Sequence, residues 1–228
     1  MWRFLGETVA VFAKDMRCEF RTRVAFNSLA LFAVTTLAAV SYTIGPYGIA
    51  EADRPYLLGA LLWIVVFFAA MAGLDRAFVK EEETHTAPLL RLAARPLVVW
   101  GGKLLFNMVT LALLMAILVP LYVVLMGLSV RSPGWFVLVL ASGCWALAVT
   151  TTIVAAIVAR AMSRGALFAV LSMPLLLPLL VFLIQGTRAA IEGGTADVLS
   201  AVRAVVSLGG VMTTVSVFLF PVVWHDSA

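Results

Sequence analysis

The stretch Leu104–Met126, LLFNMVTLALLMAILVPLYVVLM, decides the fold. It holds no Asp, Glu, Lys or Arg. At about 1.5 Å of rise per residue, a helix of this length crosses the roughly 30 Å hydrocarbon core of a bilayer. A surface helix of a soluble domain needs only one apolar stripe, whereas this segment is apolar all round. The same test, moved outward, finds five further runs at Val24–Ile44, Tyr56–Leu74, Trp135–Ala159, Ala166–Ile184 and Val205–Trp224. Turn-forming residues separate them, including Gly45-Pro46, Ser132-Pro133-Gly134 and Gly193-Gly194. The expected fold is an all-α integral membrane bundle of six transmembrane helices with no extramembrane domain.

Composition excludes the alternatives. Of 228 residues, 63% are hydrophobic and 12% charged, against about 25% charged in soluble domains. The net charge of +4 does not argue for nucleic acid, because the basic residues cluster between the apolar runs. Of the 16 Lys and Arg, 12 fall in segments on the amino-terminal side and 4 on the other. The positive-inside rule then places both termini in the cytoplasm, with the protein in the bacterial cytoplasmic (inner) membrane. The run of charges from Arg3 to Arg23 is unlike a cleaved signal peptide. Cys18 and Cys144 have no metal-ligand spacing.

Two polar segments are longer than connections require. Within residues 1–23, Trp2, Leu5, Val9, Phe12, Met16 and Phe20 recur every three or four positions among charges, which predicts an amphipathic helix lying in the cytoplasmic membrane interface and contacting lipid. Phe12, Met16 and Phe20 are expected to brace the bundle there. The remainder, residues 24–228, is expected to form the six-helix transmembrane domain. Its second long polar segment, 75–103, contains Asp75, Arg76, Lys80, Glu81, Glu82, Glu83, His85, Pro88, Arg91 and Pro96. The two prolines predict a short charged helix followed by a second short element over Leu89–Ala94. The segment reads either as a solvated loop or as a docking surface, and its length favours docking.

Covalent chemistry has no candidate apparatus. A phosphate-binding Gly-x-x-x-x-Gly-Lys-Ser/Thr loop is absent from the sequence, so the chain is expected to be non-catalytic, with any ATP hydrolysis on a partner. His85 and His225 are the two histidines, an unpromising set for haem or metal. The six runs as drawn lack ionisable residues, which argues against proton- or sodium-coupled transport. Their polar residues, such as Asn107 and Thr150 to Thr152, suit helix packing, and Lys103 at a span edge is expected to snorkel to the interface. Pro174 and Pro178, four residues apart, mark a kink or hinge in the fifth span, although neighbouring helices also let membrane helices tolerate proline.

Leu74-Asp75-Arg76-x-Phe78 with the acidic cluster, Pro96 and Lys103, followed by Arg164-Gly165 and Leu171-x-Met173-Pro174-Leu175-x-x-Pro178-x-x-Val181-Phe182, resembles the cytochrome c maturation permease family called CcmB, or haem exporter protein B. The resemblance covers nearly the whole chain. It departs from the family pattern at Thr84–Arg91 and in an aromatic carboxyl end, Phe220-Pro221-Val222-Val223-Trp224-His225. It implies an ABC-2-like permease subunit for c-type cytochrome biogenesis, working with a cytoplasmic CcmA-like ATPase, CcmC-like and CcmD-like membrane subunits and a CcmE-like haem chaperone. ATP would bind the ATPase and haem the partner subunits, with no cofactor on this chain. ATP use would drive haem delivery or release of the loaded chaperone. Asp75, Arg76, Lys80, Glu81, Glu82 and Glu83 would then meet the ATPase. An ABC-2 type exporter of a lipid or drug, or a membrane scaffold that binds no ATPase, are the other readings of the same spans.

Overall fold

The computed structural model describes residues 2–45, 48–74, 78, 81, 87–159 and 164–225. These form eight helices: α1 (Trp2–Thr22), α2 (Val24–Ile44), α3 (Arg54–Gly73), α4 (Ala87–Ala93), α5 (Pro96–Met126), α6 (Pro133–Val158), α7 (Arg164–Glu192) and α8 (Thr195–His225). Six of them, all but α1 and α4, are long and apolar enough to span a bilayer. Because the spans alternate in direction, one end of the bundle gathers α1, the segment between α3 and α5, and the carboxyl end.

Several helices run beyond the apolar runs that announce them. Helix α5 begins at Pro96 rather than Leu104, with proline in the first turn, where its missing N–H costs nothing. Residues 185–204, expected as a connection, instead extend α7 and α8 into a helical hairpin that turns at Gly193-Gly194. Gly193 has φ 91°, and both glycine N–H groups donate to Ala189 O at 2.8 and 2.9 Å, which satisfies a terminal carbonyl of α7. The helices as formed therefore carry charges that the apolar runs lack: Arg54, Lys103, Arg164, Arg188, Glu192, Asp197 and Arg203. Hydropathy marks where a helix meets lipid, whereas backbone hydrogen bonding decides where it stops. The element expected over Leu89–Ala94 is α4, displaced by two residues at its start.

Helix α6 is the most enclosed span and α2 the least. Helices α6, α7 and α8 pack on one another, α3 packs on α7, and α2 lies against α3 and α5. Trp63, fully buried, donates from Nε1 to Thr187 Oγ1 at 2.7 Å, and Tyr122 donates its hydroxyl to Leu58 O at 2.7 Å. These bonds satisfy polar groups where no water could. Most intramembrane hydroxyls bond back to their own helix, as Thr150, Thr151 and Thr152 do to Ala146, Leu147 and Ala148. Asn107 instead reaches across, donating Nδ2–H to Thr152 Oγ1 at 2.8 Å. Outward-facing Leu31, Val124, Val170 and Phe218 suit an acyl-chain surround.

The joint between α1 and α2 is a single residue. Arg23 has φ 54°, a left-handed conformation uncommon for a side chain of this size. Its N–H donates to Glu19 O at 2.5 Å. The Glu19 carboxylate accepts from Phe26 N–H at 2.9 Å, supplying an acceptor to an otherwise open donor in the first turn of α2. This elbow fixes the angle between the amino-terminal helix and the first span.

Close helix approach depends on small residues. A Cβ on Gly143 of α6 would overlap the Trp63 ring and lie 2.8 Å from Leu183 Cδ2, so Gly143→Ala is expected to destabilise the bundle by about 1–3 kcal/mol. Gly134→Ala, whose Cβ meets nothing within 4 Å, should stay within about 0.5 kcal/mol. Thermal unfolding of both variants in detergent measures the difference.

Candidate functional site

Lys103 is the residue around which the site is built. It lies in the second turn of α5, where a lysine near a membrane end could extend to water. Its side chain is instead 3% exposed, which corrects the expectation that it snorkels. Nζ is 2.8 Å from Glu81 Oε1 and 3.0 Å from Asp15 Oδ2, and stands over the Phe78 ring at 5.7 Å from its centroid. Lys14 Nζ reaches the same Glu81 oxygen at 2.5 Å and Asp15 Oδ1 at 3.3 Å. Among the described residues, two lysines and two carboxylates thus join α1, α5 and the segment following α3.

Glycine makes the cluster possible. A Cβ at Gly102 would lie 2.6 Å from Val11 Cγ1 and 3.1 Å from Thr8 O, and one at Gly101 would lie 3.1 Å from Thr8 Cγ2. With hydrogen in those places, α1 lies directly on the α5 backbone, burying Thr8 and Val11. One turn beyond Val11, Asp15 then falls at Lys103. The expectation that Phe12, Met16 and Phe20 brace the bundle is corrected accordingly: Thr8, Val11 and Asp15 do so, while Phe20 is exposed and Phe12 and Met16 are half-buried.

Charge balance sets the protonation of the cluster. Burial by itself would raise the Glu81 carboxyl, but the Lys103 charge, with hydrogen bonds from Lys103 and Lys14, outweighs it and lowers the group from 4.5 to about 2. Burial by itself would lower the Lys14 ammonium, but the hydrogen bond to Glu81 and the charges of Asp15 and Glu81 raise it above 10.5. Asp15 Oδ2 accepts no well-directed hydrogen bond from the described residues, so its 3.0 Å contact with Lys103 is chiefly charge on charge.

An aromatic layer lies beside the ions. Phe78 packs against Phe220 and Trp224 of α8, with centroids 5.7 and 6.3 Å away, and Phe220 stacks on Trp224 at 5.4 Å. Val99 and Trp100 of α5 and Ile153 and Val158 of α6 complete this layer. The aromatic carboxyl end therefore has a structural role: it covers Phe78. Through Phe78 and Glu81, three residues apart and both helical, the post-α3 segment is held to three helices.

Of the residues expected to meet a partner, Asp75, Arg76, Lys80, Glu82 and Glu83 lie outside the described residues. Glu81 is described and is 6% exposed, so its expected presentation to a partner is corrected: it faces inward, because a buried Lys103 is tolerable only beside countercharge. Pro174 and Pro178 lie inside α7, which stays helical through both. Lys14, Asp15 and Lys103 escaped the sequence reading as a group. Their available signal was Gly101-Gly102-Lys103, a close-approach pair followed by a lone charge at the start of an apolar run. No group of three or more His, Cys, Asp or Glu among the described residues could hold a metal ion.

These features define a multi-pass helical membrane protein with a buried ionic node at one end of the bundle. The chain belongs to the CcmB protein family, which matches residues 7–226. It is 29% identical over 185 residues to Heme exporter protein B of Bradyrhizobium diazoefficiens, covering 81% of this chain and 82% of that protein. Against Heme exporter protein B of Rhodobacter capsulatus, identity is 29% over 196 residues, 86% of this chain and 88% of the relative. The Paracoccus denitrificans protein of the same name is 26% identical over 187 residues, 81% and 84% of the two chains.

Lys103→Met removes the buried cation that Glu81 and Asp15 face and is expected to destabilise the protein by about 3–5 kcal/mol. The neutral double variant Lys103→Met/Glu81→Met should recover most of that loss in the same unfolding measurement. Glu81 also gives the node an acid limit. Its depressed protonation stabilises the fold above pH 4.5, and that stabilisation is lost as pH falls toward 2, a contribution of about 3 kcal/mol. Wild type should lose more melting temperature than Glu81→Gln between pH 6 and 3.

Proposed function

We propose that this chain is the permease subunit of an ABC transporter complex for c-type cytochrome biogenesis, coupling ATP hydrolysis on a separate ATPase to haem delivery or release of a haem-loaded chaperone. The observation that carries the reading is the CcmB family match across residues 7–226, with relatives named Heme exporter protein B. The 12-to-4 distribution of basic residues supports a cytoplasmic (inner) membrane protein whose termini and ionic node are on the cytoplasmic side.

In this reading the segment after α3 is the contact with the ATPase. Asp75, Arg76, Lys80, Glu82 and Glu83 supply its charges, which suit a reversible contact with a soluble partner. Glu81 acts behind them as a tether. When nucleotide binding closes the ATPase, displacement of the segment passes through Lys103 to α5, through Lys14 to α1, and through Phe78 to α8. A charge cluster and a packed aromatic layer move as units rather than stretching, so a small displacement becomes a helix movement. Pro174 and Pro178 provide a flexible point in α7. Chain-bound haem has no part in the scheme, and the CcmC-like, CcmD-like and CcmE-like partners handle the haem.

Two variants separate docking from transmission. Asp75→Ala/Arg76→Ala is expected to abolish co-purification of the ATPase and the appearance of covalently haem-bound c-type cytochromes in cells carrying the variant as their only copy. Lys103→Met/Glu81→Met is expected to retain the ATPase yet lower cytochrome maturation at least ten-fold. Normal maturation in both variants would exclude this assignment of the segment.

A further inference from the structure

Helix α1 presents three faces, and among the described residues only one of them is packed closely against another helix. Thr8, Val11 and Asp15, spaced by three and four residues, lie against α5. The residues that follow them by one, Val9, Phe12 and Met16, are rotated by about 100° and are joined on that face by Phe20. Val9 is 54% exposed and Phe20 65%, while Phe12 and Met16 are half-buried, and among the described residues α1 contacts chiefly α5, with a smaller contact to α2. One residue further on again, Arg17 and Arg21 form an exposed cationic edge. Glu7 and Lys14 share the broader polar side, where Lys14 is engaged by Glu81 and Asp15.

The position of α1 relative to the membrane selects the occupant of the open faces. Helix α2 is a span that starts one residue after α1 ends, and the elbow at Arg23, fastened by Glu19, fixes the exit angle. The apolar face of α1 is therefore at the level where acyl chains begin. Arg17 and Arg21 flank it at the level of phosphate oxygens, which a guanidinium can bind through paired N–H donors. We propose that α1 is a binding site for anionic phospholipid, with Val9, Phe12, Met16 and Phe20 in the acyl region and Arg17 and Arg21 on the headgroup phosphates. Because the other faces of the same helix carry Asp15 and Lys14, a lipid bound there holds α1 in the register that closes the ionic node.

The test uses the full-length chain in nanodiscs containing equal phosphatidylglycerol and phosphatidylcholine. Native mass spectrometry of the released protein should show phosphatidylglycerol retained in preference to phosphatidylcholine. Removing both arginines, Arg17→Gln/Arg21→Gln, should reduce that preference by roughly five-fold per charge, whereas Arg17→Lys/Arg21→Lys should keep most of it. Independently, bimane on Phe20→Cys in a Cys18→Ser background should be quenched by lipids brominated on their acyl chains and protected from aqueous iodide. Equal lipid preference in wild type and Arg17→Gln/Arg21→Gln would overturn the proposal. So would a label quenched by iodide, or one shielded from both quenchers, which would place water or protein on that face.

Discussion

The burial of the Lys103 ammonium constrains one whole end of this protein. A cation with 3% of its side chain exposed is tolerable only where opposite charge and hydrogen-bond acceptors replace water. The opposite charges come from two places far apart in the chain, Asp15 of α1 and Glu81 of the segment after α3. Satisfying one lysine therefore fixes where the amino-terminal helix lies and where Glu81 is held. Gly101 and Gly102 admit α1 close enough for this pairing, and Phe78 brings the carboxyl end of α8 into the same assembly.

This arrangement differs in kind from the rest of the bundle. Between the spans, contact is made by apolar side chains, by glycines such as Gly143, and by a few fully satisfied polar bonds such as Trp63 to Thr187. Such packing is local and resists rearrangement. The ionic node instead brings the amino-terminal helix, a span and a polar segment to one point, and its energy depends on charge balance. The CcmB family assignment gives that connection a context in an ABC transporter complex with partner subunits.

Much of the fold was legible because lipid imposes a simple rule on sequence. A span must be apolar and long, so the runs around Leu104–Met126 and its five counterparts stood out without reference to packing. The periodicity of Phe12, Met16 and Phe20 likewise marked α1 as a helix with one apolar face. Helix ends were less legible. Lys103, and the charged residues on either side of the Gly193-Gly194 turn, interrupt hydropathy but do not interrupt backbone hydrogen bonding, so the helices continue through them up to that turn. The assignment of Glu81 to an outward contact failed for a related reason: in sequence it is one of three consecutive glutamates, and nothing local marks it as turning inward.

By itself, the sequence determined the class, the number of spans and the amphipathic character of the amino-terminal helix, because these depend on the partition of individual segments between water and lipid. Tertiary structure alone decided that Lys14, Asp15, Glu81 and Lys103 meet, that two glycines bring α1 onto α5, and that Phe220 and Trp224 cover Phe78. Each of these depends on helices distant in sequence being brought within a few ångströms. Charge pairing and steric close approach are properties of that proximity, and the order of residues along one segment carries no record of it.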